Sequence, residues 1–225
     1  MPTFALITEG ITDQVVIETI IQGYYSGQLD DELDFNPLQP VRDATDESRQ
    51  GGFGGWENVL EYCSYSDRIR EAIALNDFVV IQIDTDCCEE KNFGVYLTKD
   101  GNERDAPDII FDVISKIVGI IGDDIYLKHK EKLIFAIAVH SIECWLIPLH
   151  MKKMIGRKRT HSCEDHLGRA IKQNGLEYSK NYDVYFNIVM PYRKRKNIEL
   201  NKMYNRSFEI FIESMPDPIR LNKLF

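Results

Sequence analysis

Five acidic residues stand at or just beyond the ends of apolar stretches of the chain: Glu9, Asp13, Asp84, Asp86 and Glu143. Carboxylates that lie close together raise one another's pKa, and a divalent cation relieves that repulsion. Oxygen ligands in this number suit Mg²⁺ or Mn²⁺. If the fold brings the five acids together, they predict metal-assisted hydrolysis of a phosphate ester.

Three apolar runs precede these acids and are typical of buried strands. They span Thr3–Thr8, Asp77–Ile83 and Lys132–Val139. Stretches with helical spacing alternate with them, so the sequence predicts an α/β domain with a mainly parallel sheet flanked by helices. The carboxyl ends of parallel strands meet at one edge of such a sheet, where ligands bind. We therefore expect the acids to converge there.

The remaining elements follow from the same patterns. A further strand is expected near Asp34–Val41, and Cys87–Pro107 is expected to be a surface loop. The glycine-rich stretch Gly51–Gly55 predicts either a turn or a flap over the acids. Helices are expected over Ile11–Tyr25, Trp56–Leu75 and Pro107–Ile121, from His140–Leu146 onward, and near Cys163–Asn174 and Ile198–Met215.

Charge divides the 225 residues unevenly, although the net charge is only −9. Residues 1–150 hold 11 Lys and Arg against 28 Asp and Glu, and residues 151–225 hold 16 against 8. We interpret 1–150 as a metal-binding catalytic domain and 151–225 as a basic helical C-terminal extension. The basic end could bind a polyanion or could be an ordinary solvated surface.

Two basic clusters carry the expectation of nucleic-acid binding. Tyr192 could stack a base beside the second cluster, and Gly10 could let the backbone approach a phosphate. The two clusters are Lys152, Lys153, Arg157, Lys158 and Arg159, and then Arg193, Lys194, Arg195 and Lys196.

The expected compartment is the cytoplasm. The N-terminus lacks a basic region of the signal-peptide kind, and the longest apolar run, near Ile134–Val139, is too short to span a membrane. The five cysteines have no CxxC spacing. We therefore expect free thiols in a reducing compartment, no zinc site and no membrane partner.

The acids also carry a family resemblance. The stretches "ITEGITDQ", "IQIDTDC" and "HSIECWL" resemble the Toprim signature, in which strands are followed by Glu-Gly, by Asp-x-Asp and by a further acid. The Glu-Gly-x-Thr-Asp form is similar to the nuclease branch, which includes overcoming-lysogenization-defect (OLD) and RloB-like phage-defence proteins. The chain also looks like small stand-alone Toprim-like proteins.

The resemblance implies a Toprim-like, Rossmann-like fold and a Mg²⁺- or Mn²⁺-dependent endonuclease acting on DNA or RNA. By it, Asp84 and Asp86 hold an ion, and Glu9 is a ligand or a base toward bound water. Asp13 matches the second acid after Glu-Gly and Glu143 the acid of the last motif, and the two could complete a second metal site.

Other readings stay open. A non-catalytic Toprim-like subunit could act with an ATPase on a separate chain, and self-association is also open. An apolar strand followed by Asp-x-Asp is found in haloacid-dehalogenase-like phosphohydrolases too, although Glu9 and Gly10 have no role in that chemistry. His140 could donate to a phosphate or could be a structural strand-end histidine.

Overall fold

The computed structural model of the protein describes residues 1–29, 32–42, 55–151, 162–218 and 221. The strands are β1 (Thr3–Ile7), β2 (Asp34–Gln39), β3 (Phe78–Asp84), β4 (Thr98–Lys99), β5 (Asn102–Glu103) and β6 (Leu133–Ala138). The helices are α1 (Ile11–Tyr25), α2 (Trp56–Ser64), α3 (Ser66–Leu75), α4 (Ala106–Ile121), α5 (Asp123–His129), α6 (Glu143–His150), α7 (Cys163–Gln173), α8 (Tyr182–Val189), α9 (Arg195–Lys202) and α10 (Arg206–Ser214).

Four strands form one parallel sheet in the order β2-β1-β3-β6. Strand β1 pairs with β3 from Phe4 opposite Phe78, and β3 pairs with β6 from Val79 opposite Leu133. Every residue of β3 is buried, as the continuous apolar run predicts for a strand covered on both faces. The predicted α/β fold with a mainly parallel sheet is confirmed.

Alternate residues of the strands supply two hydrophobic cores, one on each face of the sheet. Phe4 and Leu6 of β1 join a core that includes residues of α1, α6, α8 and α10. Ala5 and Ile7 join the opposite core, which includes residues of α2, α3 and α4. Helices α8 and α9 lie against α1, and α10 lies against β6, so the C-terminal helices cover one face of the sheet.

Two of the predicted long helices are each interrupted. Tyr65 leaves helical geometry, with φ −85° and ψ 88°, and separates α2 from α3. Asn205 separates α9 from α10 because its side chain accepts a hydrogen bond from Phe208 N and caps the second helix.

The predicted loop over 87–107 is mostly exposed, but it contains the β4–β5 hairpin and buries Phe93 in the core. None of the helices in the described ranges is long and apolar enough to cross a membrane.

Two of the cysteines form a disulfide. Cys144 on α6 and Cys163 on α7 have their Sγ atoms 2.15 Å apart, whereas Cys63, Cys87 and Cys88 are free. The prediction that all five are free thiols is therefore wrong for this pair. The pairing depends on the packing of α6 against α7. A separation of 19 residues gives no local signal for that packing.

Candidate functional site

The ends of β1 and β3 are joined by a network around Glu9. Its Oε1 accepts a hydrogen bond from Asp84 N at 2.8 Å, and its own N donates to Gln82 Oε1 at 3.1 Å. The same Gln82 side chain, which is fully buried, donates through Nε2 to Asp84 Oδ1 at 2.8 Å. Because β1 and β3 are adjacent and parallel, Glu9 and Asp84 meet at the sheet edge.

Asp13 joins this edge from the first turn of α1, where its side chain is buried. Gly10 caps that helix with extended backbone, φ −151°, which any residue adopts. What requires glycine is space, since a Cβ on Gly10 would lie 2.9 Å from Asp13 Oδ2. The glycine predicted to favour a phosphate therefore also makes room for the second acid.

Asp86 lies in a turn that is fixed to the end of β6. The N–H groups of Thr85 and Asp86 both donate to His140 O at 2.9 Å, and His140 N donates to Thr85 Oγ1 at 2.8 Å. His140 adopts a left-handed backbone, φ 66°, that directs its carbonyl at these donors. Its ring lies 3.1 Å from Glu103 of β5. Asp86 itself is exposed at the rim of the acid edge.

Glu143 begins α6, and its side chain is 1% exposed. Its Oε1 accepts a hydrogen bond from the Tyr185 hydroxyl at 2.5 Å and lies 3.5 Å from Lys180 Nζ. Its Oε2 is buried and has no hydrogen-bond partner among the described residues. An unpaired carboxylate oxygen in the interior is costly, which favours a missing cationic or hydrogen-bonding ligand at this atom.

Lys180 is a member of the site that the sequence patterns did not indicate. It lies in the connection between α7 and α8, with its Nζ 3.6 Å from Glu164 as well as near Glu143. Burial acts to lower the pKa of Lys180, but the carboxylates of Glu143 and Glu164 raise it above its ordinary value. The side chain is therefore a stable ammonium ion beside the acids. Because Lys180 lies in a loop, no spacing in the sequence relates it to the acids.

The buried acids shift one another's pKa values. Burial and then Asp13 raise the pKa of Glu9 to about 8, and burial and then Glu143 raise that of Asp13 to about 7. Burial, Asp13 and Glu9 raise the pKa of Asp84 well above its usual range. Burial also acts to raise the pKa of Glu143. The Lys180 ammonium and hydrogen bonds from the Ser141 and Tyr185 side chains outweigh burial, so the pKa of Glu143 is lowered overall.

In the described residues, no three or more His, Cys, Asp or Glu side chains form a ready group for a metal ion. The chemistry of the donor set nevertheless fits one. Among the described residues the Lys180 ammonium interacts with the carboxylates of Glu143, Glu164, Asp13 and Asp84. The donors are hard oxygens, and Glu143 Oε2 is an orphaned buried oxygen. Glu9, Asp84 and Asp86 could hold a cation at this edge, with Asp13 and Glu143 beside them.

Gly55 is a second glycine at this edge, and it ends the glycine-rich stretch Gly51–Gly55. Its φ is +86°, and a Cβ added to it would lie 3.1 Å from Glu9 Oε2. The end of the Gly51–Gly55 stretch therefore reaches the acids. Residues 51–54 lie outside the described residues, and the choice between a turn and a flap stays a prediction.

The second basic cluster lies away from the acid edge, at the far end of α1. An Arg193 guanidinium nitrogen donates to Gln22 Oε1, and Arg195 donates to Tyr24 O at 2.7 Å. Gln22 lies nine positions after Asp13 on α1, which is about 14 Å along the helix. The structure therefore does not bring these arginines to the acids.

The other predicted nucleic-acid contacts divide into three groups. Lys194 and Lys196 are exposed beside the arginines. The prediction that Tyr192 stacks a base is wrong, because its side chain is fully buried and its hydroxyl donates to Trp145 O at 2.6 Å. The first basic cluster lies outside the described residues: Lys152, Lys153, Arg157, Lys158 and Arg159.

Comparisons with known proteins add no relative to this description. No protein-family model, no curated protein and no solved structure gives a significant match to the chain. The Toprim resemblance therefore stays a prediction that rests on the residues themselves.

Proposed function

We propose that the chain is a metal-dependent nuclease, with a Toprim-like form of the α/β sheet, that hydrolyses phosphodiester bonds of DNA or RNA. The observation that carries this proposal is the meeting of four largely buried carboxylates from three strand ends: Glu9, Asp13, Asp84 and Glu143. Such a cluster lowers the stability of the fold unless a cation compensates it. Clusters of buried groups with shifted pKa values occur most often at functional sites.

The acids would hold Mg²⁺ or Mn²⁺, with Glu9, Asp84 and Asp86 as the central ligands and Asp13 and Glu143 beside them. When bound, the metal would lower the pKa of a water molecule and neutralise charge on a phosphate. The protein's own contribution is to fix the ligands. Gln82 does this from a buried position, because its side chain accepts a hydrogen bond from the backbone N–H of Glu9 and donates one to Asp84 Oδ1.

Lys180 gives the site a permanent positive charge next to these acids. An ammonium held by Glu143 and Glu164 can contact a non-bridging phosphate oxygen and stabilise the charge that develops there during cleavage. About half of its side chain is exposed, so a substrate can reach it from solvent. This favours a phosphate-containing substrate over a purely structural acid cluster.

A nucleic acid would reach the site from the solvent side, where Asp86 and Lys180 are exposed. The cluster of Arg193, Lys194 and Lys196 would then be a secondary contact. A substrate touching both spans at least about 14 Å, or about four base steps of duplex DNA. Oligonucleotides shorter than this are expected to lose the contribution of the cluster.

The test is cleavage of supercoiled plasmid, single-stranded DNA and single-stranded RNA with Mg²⁺, with Mn²⁺ and with EDTA. We expect metal-dependent cleavage of at least one substrate, and its loss in the double variant Asp84→Asn/Asp86→Asn. The control is Asp123→Asn/Asp124→Asn, which removes two exposed acids from the first turn of α5 and should cleave normally.

Cleavage that survives EDTA, or that persists in Asp84→Asn/Asp86→Asn, would contradict the proposal. Metal binding without cleavage of any of the three substrates would contradict it as well and would favour a subunit that acts with an ATPase. A covalent phosphoenzyme formed with a small phosphomonoester would favour a phosphohydrolase instead.

A further inference from the structure

The Glu143 carboxylate is held asymmetrically. The Tyr185 hydroxyl donates to Oε1 at 2.5 Å, whereas Oε2 is buried without a partner among the described residues. Tyr185 itself is fully buried on α8, and α8 packs against α1, the helix that carries Asp13. The hydroxyl therefore comes from a rigid part of the core and fixes the orientation of one oxygen.

A second tyrosine extends this contact. Tyr178 OH lies 3.0 Å from Tyr185 OH. Because the single proton of Tyr185 is donated to Glu143, Tyr178 is the donor in this pair, and the bonds run in one direction from Tyr178 to Glu143. Bonds that run in one direction strengthen one another. The Tyr178 ring rests on α7 at Gly168, where a Cβ would come within 3.0 Å of it.

We infer that Tyr185 is a positioning residue for the metal, because it holds Glu143 by Oε1 and leaves Oε2 directed at the cation. The inference rests on the proposed function, since it requires the metal site described above. Residues that orient a metal ligand without touching the ion contribute about 10- to 100-fold to metal affinity. Tyr178 supports Tyr185 from the outer side and is expected to contribute less.

The experiment measures binding of Mn²⁺ alone, from the electron paramagnetic resonance signal of the free ion, in the full chain and its variants. Tyr185→Phe should bind Mn²⁺ about 10- to 100-fold more weakly than the unaltered chain. Tyr178→Phe should also bind Mn²⁺ more weakly, but by less than Tyr185→Phe, because Tyr185 keeps its own bond to Glu143.

The matched control is Tyr192→Phe. Like Tyr185, Tyr192 is a fully buried tyrosine with a short hydrogen bond, and its acceptor also lies on α6, but that acceptor is the backbone oxygen of Trp145 and not a carboxylate. It should lose a similar amount of thermal stability and bind Mn²⁺ with unchanged affinity. A purely structural role for Tyr185 predicts the same unchanged affinity for both variants.

The outcomes separate the two proposals. If the unaltered chain binds no Mn²⁺, the proposed function fails and this inference fails with it. If the unaltered chain binds Mn²⁺ and Tyr185→Phe binds it equally well, or Tyr192→Phe loses as much affinity, only the inference is overturned. Should Tyr185→Phe not fold, Tyr178→Phe decides the matter, and unchanged affinity there overturns the inference.

Discussion

Replacing Asp13 by Asn should stabilise the metal-free protein, and the gain should depend on pH. Asp13 is buried at the start of α1, and its Oδ2 faces Gly10 within the acid cluster. Asn has nearly the same shape but carries no charge. The substitution therefore removes the cost of an ionised carboxylate that Lys180 compensates only in part, and it keeps the packing.

The magnitude follows from the pKa. Burial and then the Glu143 carboxylate raise the pKa of Asp13 from 3.8 to about 7. This difference of about three units corresponds to about 4 kcal/mol at 1.36 kcal/mol per unit. Since the folded-state pKa is raised, the cost is absent below about pH 4, grows as the pH rises to about 7, and is constant above that. At pH 8 the variant should gain about 4 kcal/mol in free energy of unfolding, and at pH 4 about zero.

The assay is urea denaturation in EDTA at pH 4, 6 and 8. Asp183→Asn is the control, because Asp183 also lies in the first turn of a helix but is exposed. That control should lose only about 0.3 to 1 kcal/mol, from the helix dipole. The reasoning is refuted if Asp13→Asn is no more stable than the unaltered protein at pH 8, or if any gain is equal at pH 4 and pH 8.

Two further predictions test the packing and the chemistry. Gly23→Ala should cost about 3 kcal/mol in urea denaturation, because a Cβ there would lie 1.7 Å from Tyr192 O. Gly119→Ala, where a Cβ meets nothing within 4 Å, should instead gain about 1 kcal/mol from helix propensity, and equal effects of the two would contradict this packing. Lys180→Met should slow cleavage about 100-fold without weakening Mn²⁺ binding, and Lys180→Arg should retain part of the rate. An unchanged rate in Lys180→Met would exclude contact of this ammonium with the phosphate.

The strand ends could be predicted because their signal is local. Strands buried on both faces are continuous apolar runs, and parallel strands place the residues that follow them at one edge. Glu9 and Asp84 could therefore be assigned to one site from sequence alone. Asp13 followed from its place four residues after Glu9, in the first turn of the adjoining helix.

The rest of the site depends on packing between distant segments. Lys180 reaches Glu143 from a loop, and Tyr185 reaches it from a helix 42 residues away in the chain. The Cys144–Cys163 disulfide and the burial of Tyr192 also follow from how the C-terminal helices cover the sheet. No spacing in the sequence encodes that arrangement, and the charge runs alone carry no information on where the basic cluster lies relative to the acids.

The most direct test of the central claim is a crystal structure of the protein soaked with Mn²⁺, with the ion located by its anomalous scattering. We expect an anomalous peak at the acid edge, with oxygens of Glu9, Asp84 and Asp86 within about 2.0 to 2.6 Å of it. Glu143 Oε2 should face the same ion or a second one beside it. Well-ordered carboxylates with no anomalous peak among them at saturating Mn²⁺ would contradict a metal site and, with it, metal-dependent cleavage.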